Sequence, residues 1–227
     1  MKKIYSYSFI GALLVITGVV SFAQDCTLYY PNKKGTEITM KSYDEKDKLT
    51  SMSTSKIIDV TGGTIQVESE VFDAKEKSMG KSTFNLSCKD GEFVVDLSGY
   101  LKGVNMDAYK DMEVKVETED MHMPGSLKAG DVLDDGEMTM KISNQGFTFM
   151  TIKVKVYNRK VEAIENVTTP AGTFECAKIS YDVDTKVGIA AKFKGIEWTS
   201  KNVGVVKSES YNSKGKLQGY TLLTSLK

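Results

Sequence analysis

The chain has 227 residues, with 30 Lys and Arg against 30 Asp and Glu, one histidine and three cysteines. Balanced charge and a lone arginine, Arg159, supply neither the basic field nor the planar donor forks that nucleic acid binding needs, so nucleic acid is excluded as a partner. With His122 as the one imidazole and no Gly-x-Ser-x-Gly, Gly-x-Gly-x-x-Gly or phosphate-loop pattern, no catalytic residue, metal ligand or cofactor is assigned.

Lys2 and Lys3 precede an apolar stretch from Ile10 to Val20, and Ser21-Phe22-Ala23 then offers small side chains at the positions a signal peptidase grips. The stretch is shorter than the roughly 20 residues a spanning helix needs. Residues 1–23 are therefore read as a signal peptide cleaved after Ala23. Residues 24–227 are read as one exported, periplasmic, β-rich domain with no membrane span. Cys26 follows Asp25, where a lipid-attachment site wants a small residue. An exported chain with three cysteines has room for one disulfide. Cys26–Cys88 is the favoured pair, since a terminal segment gains most from being tied to a sheet, by about 4 kcal/mol in the chain-entropy model. Cys176 reads as a small buried hydrophobe.

Along the rest of the chain, apolar and polar residues alternate with period two. Ile65, Val67 and Val71 face one way, and Gln66, Glu68 and Glu70 the other. The segments Met112–Glu117, Met138–Ile142 and Ile152–Val156 repeat the pattern, which is that of antiparallel strands with one face in a core. Turn signals at Thr61-Gly62-Gly63, Lys89-Asp90-Gly91, Asp134-Asp135-Gly136 and Thr169-Pro170-Ala171-Gly172 separate them. One short helix is expected around Leu97 to Lys110, weakened by Gly99 and Gly103. The expected fold is all-β: roughly eleven to thirteen antiparallel strands in a strongly curved sheet, an open barrel or sandwich, with at most one or two short helices. Its inward residues are Ile65, Val67, Val71, Phe84, Leu86, Phe93, Val95, Val114, Ile152, Val154, Leu222 and Leu226. The C-terminal hairpin, Val203 to Leu226, carries too much apolar area to be a tail.

Three segments share one plan: Tyr43-Asp44 to Lys48-Leu49, Phe72-Asp73 to Lys77-Ser78, and Tyr211-Asn212 to Lys216-Leu217. In the third, Asn212 can accept from the turn's amides and Gly215 can take positive φ, as in a type I turn closed by a G1 bulge. Asp47 suits the matching position less well and Glu76 poorly, so the second copy is expected to use a longer loop.

Met121-His122-Met123 has copper-binding residue types, but on a strand the methionines point away from the histidine. The acidic run Asp131 to Glu137 lacks the ligand spacing of an EF-hand and reads as a turn. Trp198 reads as a core or rim aromatic.

Several segments together resemble the TapB-like exported proteins of the Gram-negative envelope, part of a broader group of exported β-proteins of unknown function. The resemblance is carried by Asp25-Cys26 with Tyr30-Pro31 and Gly35-Thr36, by Ser42-Tyr43-Asp44 with Lys46 and Lys48-Leu49, and by Cys88-Lys89-Asp90-Gly91. It continues through Pro124, Leu127 and Gly130-Asp131, then Thr169 to Cys176, and Val203 to Glu209. It implies a periplasmic β-rich domain associated with envelope or tetratricopeptide-repeat partners, with no catalytic residues to carry over. Thr199 departs from the pattern, which has an aromatic after Trp198. The function expected first is non-enzymatic: interaction with envelope protein partners through a sheet edge or hairpin rim. The alternative is a carrier of a lipophilic ligand in the concavity of the sheet, with the methionines from Met106 to Met150 as lining.

Overall fold

The computed structural model describes residues 29–89, 92–95, 112–187 and 189–227. Among these residues, thirteen strands form a single antiparallel sheet. They are β1 (Glu37–Asp44), β2 (Leu49–Thr61), β3 (Thr64–Asp73), β4 (Ser78–Lys89), β5 (Glu92–Val95), β6 (Glu113–Glu119), β7 (Met121–Met123) and β8 (Gly136–Asn144). The set is completed by β9 (Phe147–Thr169), β10 (Gly172–Val187), β11 (Ile189–Ser200), β12 (Gly204–Asn212) and β13 (Leu217–Leu226). No helix occurs among the described residues, and the one expected around Leu97 to Lys110 lies outside them.

The order across the sheet is β6-β8-β9-β10-β11-β12-β13-β1-β2-β3-β4-β5-β7. The two edge strands, β6 and β7, are consecutive in sequence, with Asp120 the one residue between them. A sheet whose opposite edges are joined by one residue must curl until those edges meet, and the result is a strongly curved, near-closed barrel. No ladder joins β6 to β7 among the described residues, so the two edges meet at a seam. The segment after β7 runs beside β9, where Leu133 N–H donates to Arg159 O at 2.9 Å and Val161 N–H to Asp131 O at 2.9 Å.

All three copies of the turn motif are the same structure. Asp44, Asp73 and Asn212 each accept two backbone amides, at 2.8 and 3.0 Å, 2.8 and 3.0 Å, and 2.9 and 3.0 Å. Asp47, Glu76 and Gly215 take φ of 61°, 61° and 79°. The longer loop expected for the second copy is therefore corrected. The two bonds accepted by the Asp73 carboxylate hold Glu76 in the left-handed region against its intrinsic preference.

Two clusters make the interior. The larger gathers Ile57, Ile65, Val67, Leu86 and Phe93 with Met123, Leu127, Leu133, Val161 and Ile179, so it spans from β2 across the seam to β10. The second packs Cys176, Trp198 and Val206 with Ile38 and Leu223. Of the expected inward residues, Ile65, Val67, Leu86 and Phe93 are buried, while Phe84, Ile152, Val154 and Leu226 are half-buried. Val114 is exposed because β6 is an edge strand, and Val71 is exposed toward the barrel's open interior.

On β13 the buried residue is Leu223 rather than Leu222. Thr39 pairs with Ser225 and Met40 with Leu223, so Thr224 is an extra, bulged residue. A bulge shifts the alternation by one, which lets Leu223 and Leu226 serve the same cluster three residues apart.

No disulfide joins two of the described residues: Cys176 is a free buried thiol, while Cys88 is disulfide-bonded and its expected partner, Cys26, lies outside them. Burial pushes the Cys176 thiol up to about 11, with the nearby Glu165 and Glu175 carboxylates acting in the same direction.

Candidate functional site

The curl of the sheet frames a cavity of about 580 Å³ that is partly open to solvent. Its walls come from period-two positions on neighbouring strands. Ser53 and Ser55 on β2, Ser69 and Val71 on β3, and Ser82, Phe84 and Leu86 on β4 line one side. Phe93, Met121 and Met123 extend that side to the seam, while Ile38 and Met40 of β1 extend it the other way. Tyr29, Tyr30, Val203 and Val205 line another part of it. His122 is turned away from the cavity, its Nδ1 lying 3.1 Å from Glu92 Oε2. The Met-His-Met run thus splits as its spacing predicts. Of the methionines from Met106 to Met150, Met121 and Met123 reach the lining, whereas Met138 and Met140 are buried on β8.

Most of this wall is apolar, with one hydroxyl band. Ser55 is directly opposite Ser69, and Ser69 opposite Ser82, so three serines form a rung across β2, β3 and β4. Ser55 Oγ donates to Ser69 Oγ at 3.0 Å.

The polar pole of the cavity is Arg159 with Glu197. Lys160 pairs with Ser180 and Tyr157 with Asp182, leaving Tyr181 opposite both Asn158 and Arg159. This bulge, with Asn158 at φ 55°, aims Arg159 inward from a strand whose neighbouring lysines face water. Opposite the bulge, the Tyr181 ring lies over Gly195, where a Cβ would be 2.2 Å from the ring, so any larger residue there would displace the tyrosine.

Arg159 is 4% exposed. Its Nη1 donates to the carbonyl oxygens of Asp134 at 2.5 Å and His122 at 3.4 Å, clipping β7 to β9 across the seam. Burial lowers the guanidinium from its ordinary value, opposed by Glu197, Asp134 and Asp135, which act through space. Burial pushes the Glu197 carboxyl up, with Arg159 opposing. Glu197 as a residue is half-buried and lines the cavity, and it is burial of its carboxyl that shifts it. Among the described residues, two buried polar atoms, Tyr29 Oη and Asp120 Oδ1 at the seam, lack a well-formed hydrogen bond, although the Leu127 backbone acts on the Tyr29 hydroxyl.

Sequence reasoning used Arg159 to exclude nucleic acid and passed over Glu197. The one signal for them was a lone arginine beside Asn158, a turn-prone residue inside an otherwise alternating strand. The acidic run is a turn: Asp131 Oδ2 accepts the Lys128 amide at 2.7 Å, and Asp135 faces Lys155 at 3.7 Å. No group of His, Cys, Asp and Glu able to hold a metal ion occurs among the described residues. Among them there is no helix long and apolar enough to cross a membrane.

A family profile described as DUF3108-like matches residues 33–223. Two crystal structures are similar over most of the chain. One, from Bacteroides fragilis and named as an exported protein with a YmcC-like fold, is 26% identical, with a TM-score of 0.71 over 89% of this chain and 100% of its own. The other, from Parabacteroides distasonis and named as a lipoprotein, is 26% identical, with a TM-score of 0.73 over 90% of this chain and 100% of its own. No curated protein shows significant similarity to the chain.

Proposed function

The chain belongs to the DUF3108-like family, and on that premise we propose that it is an exported, non-enzymatic carrier that holds a lipophilic ligand inside its barrel. The observation that carries this reading is the cavity of about 580 Å³, walled by Val71, Phe84, Leu86, Phe93, Met121 and Met123. Protein interiors pack to crystal-like density, so an apolar space of this size supports a binding role. It falls within the range of about 300–1,000 Å³ typical of ligand sites. The adaptable thioethers of Met40, Met121 and Met123 suit an acyl chain of variable shape. This second of the two expected functions is favoured over docking through a sheet edge because docking needs no cavity.

Export is supported by the names of the two similar structures and by the charged, apolar and small-residue order of residues 1–23. Intact mass of the secreted protein is expected to begin at Gln24. Within the family, the resemblance of Pro170 to Phe174 and Gly204 to Glu209 to the TapB-like exported proteins supports reading the chain alongside them.

The test is titration with N-phenyl-1-naphthylamine, a neutral dye that fluoresces in apolar surroundings. Saturable enhancement at one site per chain is expected, and it should be lost in Ser69→Phe, which fills the middle of the serine rung. Enhancement that is absent, or that survives Ser69→Phe unchanged in a folded protein, would contradict the carrier reading.

A further inference from the structure

The cavity is apolar along one wall and ends at a buried cation. Arginine has five N–H donors in a fixed fork. Of these, only those on Nη1 are engaged among the described residues, and both go to backbone carbonyls. No carboxylate among the described residues forms an ion pair with Arg159; Glu197, Asp134 and Asp135 act on it only through space. A buried charge is costly unless it is paired, so a guanidinium that lines a cavity with donors to spare calls for an acceptor from outside the chain.

The charge count narrows that acceptor. One guanidinium supplies a single positive charge, with three carboxylates already in its field. The positive field left for a ligand is therefore small, so the pole disfavours a dianionic phosphate more than a monoanion. The planar fork matches a carboxylate in two parallel bonds. Glu197 would repel such a head if ionised, but burial favours its neutral form, which has an O–H to donate. Tyr29, whose buried hydroxyl also lies on the lining, adds a second underused polar group.

Building on the carrier reading, we infer that the ligand is a long-chain carboxylate, its head held by Arg159 beside Glu197 and its chain laid along the Phe84, Phe93 and Met123 wall. The serine rung of Ser55, Ser69 and Ser82 then crosses the path of the chain as a hydroxyl band. This tolerates a polar or unsaturated position along the chain without selecting for the head.

The test is displacement of N-phenyl-1-naphthylamine from the purified protein by palmitate, 1-hexadecanol and monohexadecyl phosphate. Palmitate is expected to displace the dye at about tenfold lower concentration than the alcohol, the gain of a charge-assisted hydrogen bond, and at lower concentration than the phosphate. Arg159→Gln should remove the advantage over the alcohol while the alcohol itself displaces as before. Because Arg159 also clips the seam, Glu197→Gln serves as a second variant. It keeps a neutral donor, so palmitate should bind at least as tightly as to the wild type. Dye that binds but is displaced equally by palmitate and hexadecanol, or better by the phosphate, would overturn the carboxylate assignment and leave the carrier reading standing. So would Glu197→Gln that weakens palmitate selectively. Dye that does not bind at all would remove the carrier reading and this inference with it.

Discussion

The cluster around Trp198 and the cavity beside Arg159 share strand β11, yet one is packed solid and the other is open. Glu197 lines the cavity, and its neighbour Trp198 belongs to the filled cluster. On the Trp198 side every demand is met from within the chain. The indole N–H donates to Glu165 Oε1 at 2.5 Å, and Lys178 and Lys207 lie 5.3 and 4.5 Å from the indole ring centre. Cys176, Val206 and Leu223 are fully buried behind it. On the Glu197 side the chain leaves space, a guanidinium with spare donors and a carboxyl displaced from its ordinary ionisation. A barrel of this kind keeps its stability in one part of the interior and its binding capacity in another. Changes on the two sides should therefore have different signatures.

The largest effect is expected from removing part of the filled side altogether. β13 lies between β12 and β1 in the sheet and supplies Leu223 and Leu226 to the cluster. Truncation after Lys216 should give insoluble or protease-sensitive protein. A soluble truncated chain that melts like the intact one would show that the filled cluster does not depend on the hairpin.

Single substitutions sharpen the contrast. Leu223→Ala leaves a hole in packed surroundings and should cost about 2–5 kcal/mol in urea unfolding, the range for buried leucine. Phe84→Ala, on the half-buried cavity wall, should cost clearly less while weakening dye binding. Equal destabilisation by the two would mean that the cavity wall bears as much of the fold as the cluster does.

Glu197 separates the regions by pH. Its folded-state carboxyl is held above the ordinary value of 4.5 by burial, so the folded protein keeps a proton that the unfolded chain releases. Stability from this source is complete below the unfolded value and falls as pH rises toward the folded one. Glu197→Gln cannot ionise and escapes that decline. Its urea midpoint should match the wild type at about pH 4 and exceed it increasingly toward about pH 7. A constant difference across that range would indicate that Glu197 is not held protonated by the cavity.

Much of the filled architecture was legible in the sequence, because it follows from local rules. Alternation located strands such as β3, and the Asp or Asn to Lys spacing located three hairpin turns. The misread details have specific causes. Glu76 disfavours positive φ by its own preference, but the Asp73 carboxylate overrides it through two backbone bonds. Leu222 was preferred to Leu223 because a bulge at Thr224 leaves no trace in the alternation. The cavity was less legible still. It exists only because β6 and β7 meet at Asp120 after a thirteen-strand circuit, and Arg159 enters it only through the bulge opposite Tyr181. Both are consequences of long-range register, which no local pattern encodes.

A smaller effect probes the turn repeat that frames the barrel. Glu76→Gly removes a left-handed non-glycine residue and should stabilise by about 1 kcal/mol, less the added freedom of the unfolded chain. Gly215→Val should do the reverse, since Gly215 already uses φ of 79°. If Glu76→Gly destabilises instead, the left-handed conformation at that position carries no strain to release.

The central claim is that the open side of the interior is a ligand site and not a packing defect. Native mass spectrometry of the protein purified gently from its own envelope, followed by organic extraction and analysis of what is released, tests it most directly. The account predicts a population carrying one lipophilic molecule per chain, rich in long-chain carboxylates and lost in Ser69→Phe. Protein that emerges wholly unliganded under conditions that preserve the fold, with protein subunits co-purifying in place of lipid, would contradict it.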